Sequence, residues 1–241
     1  YTLRGLKVAL SIKEELYALR GLNARPISEE ELATTKPFFQ MGTEPNKDLG
    51  ILMIHGFTVT PANFYHYSRK LSELGYTVSL PLLPGHGTSP EDLKDTKWED
   101  WLQEMEKKLS ELQKKTAKQV IIGISLGGAL ALQLAKEYRN LKKLYLLAPA
   151  VYPPHILQIA MFTALPLMDL FNMPYWIHVA GDINKESAYE IGYKKTPIYG
   201  LRELFDCMIT TQKLLPYVNT PVHIFQGKTD HEVPAFRTEG L

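Results

Sequence analysis

From Gly50 onward, short runs of apolar residues return along the chain: ILMIH (51–55), YTVSLPLL (76–83), QVIIGI (119–124), LYLLA (144–148) and VHIFQ (222–226). Hydrophobicity inside each run is continuous rather than alternating, which predicts strands buried on both faces, as in a parallel sheet. Helix-period stretches separate the first four runs: NFYHYSRKLSELG, WEDWLQEMEKKLSELQKK and LGGALALQLAKEYRN. Strand and helix taking turns at this spacing predict the α/β class, with a mostly parallel, doubly wound sheet and right-handed crossovers. Reactive groups in such a sheet collect at the carboxyl ends of the strands.

At 241 residues and 45% apolar composition the chain can fill one sizeable core. The rhythm fails between about residues 150 and 215, where VYPPHILQIAMFTALPLMDLFNMPYW is rich in Met, Leu and aromatic residues and broken by prolines. Lying between two core strands, this stretch reads as an inserted cap over the strand ends of a domain spanning residues 50–241. Residues 1–49 read as a helical lead-in. LKVALSIKEELYALRGL has the pattern of an amphipathic helix ending near Gly21, and Ser28 to Glu31 form a Ser-x-x-Glu capping signature. An accessory segment packed on the domain and a partner-binding or membrane-surface arm both fit the lead-in.

Several function classes are disfavoured early. Lys and Arg total 27 against 26 Asp and Glu, so no net field attracts nucleic acid. The longest apolar stretch is cut by Pro166 and falls short of the roughly 18 residues of a membrane span. The single cysteine, Cys207, sits among apolar neighbours at helical spacing and is expected to be a buried packing residue. GKT at 227–229 lacks the earlier glycine of a phosphate loop, since Val222 stands there. HEVPA at 231–235 lacks the second histidine of a zinc helix and contains Pro234. No metal or cofactor site is therefore expected. No secretory signal is visible, which favours a cytoplasmic setting, although the chain begins at Tyr1 rather than Met. Oligomeric state is not encoded in any pattern found.

The chemistry points to IIGISLGGAL. Gly123-Ile124-Ser125-Leu126-Gly127 is a G-x-S-x-G pattern with a buried strand before it and a helix after it, the context of a nucleophile elbow. Such a turn strains the serine backbone and brings neighbouring main chains too close for a Cβ at the glycines. The helix that follows aims its amino end at charge forming near Ser125. The first core strand ends in His55-Gly56-Phe57, where a backbone N–H could join that of Leu126 in an oxyanion hole. His55 is expected to hold its loop and His86, in PLLPGHGTSPEDL, to shape the next one. After VHIFQ, Gly227-Lys228-Thr229-Asp230 places a carboxylate at a strand end downstream of the serine; Glu232 is the second candidate acid.

HGFTVTPANF, PLLPGHGTSPEDL, GISLGG and GKTDHEVP together resemble the carboxylesterase and monoacylglycerol lipase branch of the α/β-hydrolase superfamily, over roughly residues 50–234. The resemblance implies the α/β-hydrolase fold, with Ser125 as nucleophile, Asp230 as triad acid and the N–H groups of Phe57 and Leu126 as oxyanion hole. It implies a cap built from the insertion and, as substrate, a small apolar ester or a monoacylglycerol. Met161, Phe162, Leu165, Met168, Phe171, Met173 and Trp176 are the candidate acyl-pocket residues, although packing of the cap on itself explains the same composition. The catalytic histidine of the family follows a further helix and strand, whereas the chain stops eleven residues after Asp230, at Leu241. His231 adjoins the acid too closely to serve as base, and His66, His155, His178 and His223 carry no motif. The expectation is a C-terminally incomplete fold whose base lies past Leu241; the alternative is a complete chain without the family mechanism. A thioesterase or amidase on the same triad, or a non-catalytic ligand-binding protein on a hydrolase scaffold, are the rival functions.

Overall fold

The computed structural model describes residues 16–20, 23–153, 163, 176–178, 188–230 and 233. The first elements are strands β1 (Leu16–Arg20) and β2 (Asn23–Pro26), helix α1 (Glu29–Thr34) and strand β3 (Phe38–Gln40). Then follow β4 (Leu49–Ile54), α2 (Ala62–Glu73), β5 (Thr77–Leu80), α3 (Pro90–Lys94), α4 (Trp98–Gln113), β6 (Lys118–Ile124), α5 (Leu126–Glu137) and β7 (Lys143–Leu147). The remaining elements are β8 (Trp176–His178), β9 (Glu190–Tyr193), β10 (Lys195–Pro197), α6 (Ile198–Leu214) and β11 (Val222–Phe225).

The central sheet has the strand order β11-β7-β6-β4-β5-β3, parallel throughout except for the antiparallel edge strand β3. Its five parallel strands are the five apolar runs of the sequence. The reason for their unbroken hydrophobicity is visible in β4. Leu52 and Ile54 enter the core shared with Trp101, Met105, Leu109 and Leu130, while Ile51 and Met53 enter a second core with Phe64, Val78 and Leu80. A strand covered by helices on both faces has no position left for a polar side chain.

Helix α6 is amphipathic and packs on α5, where buried Gln133 donates through Nε2 to Thr211 Oγ1 at 2.8 Å. Cys207 lies in this contact, fully buried, and burial pushes its thiol up to about 12, so it is a packing residue. The Ser28–Glu31 capping box forms as the sequence predicts. Glu31 N–H donates to Ser28 Oγ at 3.2 Å, and Ser28 N–H donates to the Glu31 carboxylate at 2.8 Å.

The lead-in departs from expectation. Instead of continuing an amphipathic helix, Leu16–Arg20 is a strand in a three-stranded antiparallel sheet of order β2-β1-β9. Leu16, Ala18 and Leu19 are buried there. The helical periodicity of this stretch is a local preference, and pairing with β9, far along the chain, overrides it. β3 was also absent from the sequence expectation, being three residues long on an edge.

Candidate active site

Ser125 stands between β6 and α5 with φ 51° and ψ −115°. A non-glycine residue at positive φ costs about 1–3 kcal/mol and persists only where its surroundings dictate it. Here the main chain is held on both sides: Ser125 N–H donates to Leu147 C=O at 3.0 Å, and Ser125 C=O accepts from Gly128 N–H at 2.9 Å and Ala150 N–H at 3.0 Å. The turn also requires the absence of a side chain at position 127. A Cβ there would lie 2.1 Å from Ile54 C=O and 2.8 Å from His55 C=O, so the start of α5 sits directly on the end of β4.

That contact brings the loop after β4 beside the nucleophile. A Cβ on Gly56 would lie 3.6 Å from Ser125 Cβ. Two residues on, Thr58 has φ 62° and is almost fully buried, again a strained setting for a β-branched residue. His55 is fully buried, donating from Nδ1 to Gly56 C=O at 2.9 Å and accepting at Nε2 from Leu83 N–H at 3.1 Å. It ties the loop after β4 to the loop after β5. Burial, reinforced by His86, pushes the His55 imidazole down to about 3, so it is neutral with its proton on Nδ1. His86 donates from Nδ1 to Pro84 C=O at 2.9 Å, and burial pushes it down to about 4. Its ring stacks edge-on with His55, Phe57 and Trp101. Both histidines are thus neutral structural residues of the loops, as the sequence suggested.

Asp230 follows β11, two strands away from β6, a separation of about 10 Å across the sheet. Its carboxylate accepts from Val233 N–H at Oδ1 (2.9 Å) and from Gln226 Nε2 at Oδ2 (3.1 Å). Gln226 Nε2 also donates to Val233 C=O at 2.6 Å, closing the turn around the acid. Sequence reasoning missed Gln226. The signal was an amide at the last position of an apolar run, one residue before the glycine.

The other histidines with described side chains do not reach this centre. His66 is exposed and stacks edge-on with Tyr65, and His223 pairs with Lys143 Nζ at 3.3 Å and with the Tyr145 ring. Among the described residues no imidazole hydrogen-bonds the Ser125 hydroxyl, and no group of three His, Cys, Asp or Glu side chains is placed to hold a metal ion. No helix among them is long and apolar enough to cross a membrane. His155, His231 and Glu232 lie outside the described residues, as do Met161, Phe162, Leu165, Met168, Phe171 and Met173; of Trp176 and His178 only the backbone, in β8, is described.

A protein-family model described as serine aminopeptidase, S33, matches residues 45–239. A thermostable monoacylglycerol lipase of Bacillus sp. (strain H-257) is 32% identical over 198 residues, 80% of this chain and 76% of that protein. A carboxylesterase of Bacillus subtilis (strain 168) is 27% identical over 204 residues, 84% of this chain and 79% of that one. Among solved structures, a chain from a study of two metagenome-derived lipolytic enzymes, LipS and LipT, superposes with a TM-score of 0.77 at 25% identity, covering 86% of this chain and 81% of its own.

Proposed function

The chain belongs to the serine aminopeptidase S33 family and has the α/β-hydrolase fold, and from that premise we propose that it cleaves carboxylic esters through an acyl-enzyme on Ser125. The observation that carries this reading is the strained Ser125 backbone, φ 51°, at the strand-to-helix turn against the Gly56-Phe57 loop. The names of the two Bacillus relatives support an ester, and specifically a fatty acyl ester or monoacylglycerol, as substrate.

In the proposed mechanism a histidine outside the described residues, oriented by Asp230, removes the Ser125 hydroxyl proton as Oγ attacks the ester carbonyl. The carbonyl oxygen becomes an oxyanion and is held by the N–H groups of Phe57 and Leu126. Collapse breaks the bond to the alcohol oxygen, which leaves with the proton from the histidine and yields the acyl-enzyme. Water, deprotonated by the same histidine, then attacks the acyl carbon; the acid departs and Ser125 recovers its proton. Leu126, fully buried at the first turn of α5, fixes one oxyanion donor in place.

The test uses the full-length protein, p-nitrophenyl esters of short and medium chain, and a fluorophosphonate probe. The wild type should turn over the esters and be labelled at Ser125, and Ser125→Ala should lose labelling together with about 10⁶-fold of kcat. Turnover by Ser125→Ala at the wild-type rate, or a wild type that the probe does not label, would remove the assignment.

A further inference from the structure

β9 touches the loop after β4, which lies beside Ser125, and the loop after β5, which His55 ties to it. Tyr193 N–H donates to Thr58 C=O at 3.0 Å, Val59 and Gly192 form an antiparallel bridge, and Thr60 Oγ1 donates to Ile191 C=O at 3.1 Å. The approach is so close that a Cβ on Gly192 would lie 2.5 Å from Thr58 C=O. The Tyr193 side chain, fully buried, makes the second connection: its hydroxyl donates to Gly85 C=O at 2.9 Å and accepts from Thr88 N–H at 3.0 Å. One residue therefore holds the loop after β4 through its main chain and the loop after β5 through its side chain. β9 is backed in turn by β1, with Leu16 opposite Tyr193 and Tyr17 opposite Gly192.

We propose that Tyr193 is a positioning residue for ester hydrolysis, and that β9, backed by the amino-proximal ribbon β1–β2, is the brace that keeps the oxyanion loop in its catalytic conformation. The inference rests on the acyl-transfer reading above. Its physical core is Thr58. A buried β-branched residue at φ 62° does not stay there by local preference, and the hydrogen bonds from β9 to residues 58–60 are what hold it. Thr58 directly follows Phe57, so holding Thr58 to β9 anchors the chain one residue beyond the Phe57 N–H and limits how far that peptide can turn. An oxyanion donor acts only when it is already aimed at the charge that develops, and a displacement well under the length of a hydrogen bond weakens it.

Tyr193→Phe keeps the ring in the core and removes only the hydroxyl contacts with Gly85 and Thr88. Thr60→Val cuts the neighbouring tie to Ile191 with almost no change of volume and provides an independent variant if Tyr193→Phe does not fold. In the full-length protein, two readouts separate positioning from general damage: the division between kcat and KM on a p-nitrophenyl ester, and the affinity for an alkyl trifluoromethyl ketone. Ser125 Oγ adds to the ketone carbonyl carbon and generates an oxyanion on the former carbonyl oxygen, with the Ser125 proton passing to the base. Thr60→Val, which cuts a tie between β9 and the oxyanion loop itself, should lower kcat and weaken the ketone about tenfold each, with KM within about twofold, a fraction of the 10²- to 10³-fold that one whole donor is worth. Tyr193→Phe leaves the Tyr193 N–H bond to Thr58 C=O in place and loosens only the loop after β5, so it should show the same pattern at about threefold. If folded Tyr193→Phe and Thr60→Val both keep wild-type kcat and ketone affinity, the brace is overturned while the acyl-transfer reading stands. A wild type that forms no ketone adduct and is not labelled by the fluorophosphonate brings down both.

Discussion

The two halves of the candidate site are built differently. On the nucleophile side, His55, Thr58, Thr60 and Tyr193 are all buried, and the loops that carry them are tied to β9 and to one another by hydrogen bonds between residues far apart in sequence. On the acid side, Asp230 follows β11, the last strand of the described sheet, whose Phe225 is 57% exposed, and its described contacts come from Gln226 and Val233, four and three residues away. Among the contacts described, one half is held by hydrogen bonds between distant segments and the other by bonds within a turn. In the proposed mechanism the difference follows from the chemistry assigned to each half. Charge stabilisation requires donors fixed before the reaction starts, whereas a carboxylate that orients an imidazole acts through its charge and one hydrogen bond.

The sharpest way to break this comparison is to remove the charge on the acid side. Asp230→Asn, nearly isosteric, should lower kcat of the full-length enzyme by about 10⁴-fold, because a neutral amide no longer favours the imidazolium or its tautomer. Stability should change little, since Asn keeps the shape of the side chain and an oxygen that can still accept from Val233 N–H. Steady-state kinetics combined with urea denaturation measure both. An Asp230→Asn enzyme within tenfold of wild type would move the acid elsewhere, with Glu232 the first candidate.

The contrast also marks what could be read from the sequence. All five parallel strands, the three helices between the first four, and the serine elbow were legible because each is encoded within a window of about ten to twenty residues. The position of Asp230 just past a strand end was legible for the same reason. The brace was not. Nothing near Tyr193 announces that its hydroxyl meets Gly85 and Thr88, and nothing in LYAL announces that it pairs with Glu190–Tyr193 rather than forming a helix. Those facts depend on two distant segments meeting, and local pattern carries no record of that.

Acid should damage the nucleophile side selectively. His55 and His86 titrate at about 3 and about 4 in the folded protein and near 6.5 when unfolded, so between these values the unfolded chain binds more protons. Stability from the two buried neutral rings is fully present above about pH 6.5 and is lost as pH falls toward 4, at about 1.4 kcal/mol per pH unit for each ring. His86→Asn retains a donor that can reach Pro84 C=O but does not titrate. Urea midpoints collected across this range should show about 1.4 kcal/mol per pH unit less dependence in His86→Asn than in wild type. Identical slopes would mean that His86 is already solvated in the native protein.

The smallest expected effect tests whether the acid side is as local as its contacts suggest. Gln226 Nε2 is shared between Asp230 Oδ2 and Val233 C=O, so this one amide sets both the turn and the direction of the carboxylate. Gln226→Leu removes the two bonds but keeps the Val233 N–H that holds Oδ1. The carboxylate should remain in place with its orientation loosened, lowering kcat about tenfold and leaving KM and the ketone affinity within about twofold, because the oxyanion donors on the other half are untouched. Gln226→Glu is a stricter variant: it keeps the length but places a second carboxylate against Asp230, where like charge disfavours ionisation and shifts the acidic limb of the kcat profile to higher pH. Tyr193→Phe and Gln226→Leu should also combine multiplicatively, since they act on halves that share none of the hydrogen bonds described here. A double variant whose loss departs from that product by more than about threefold would show that the brace and the acid turn are coupled, and that the site is one mechanical unit rather than two.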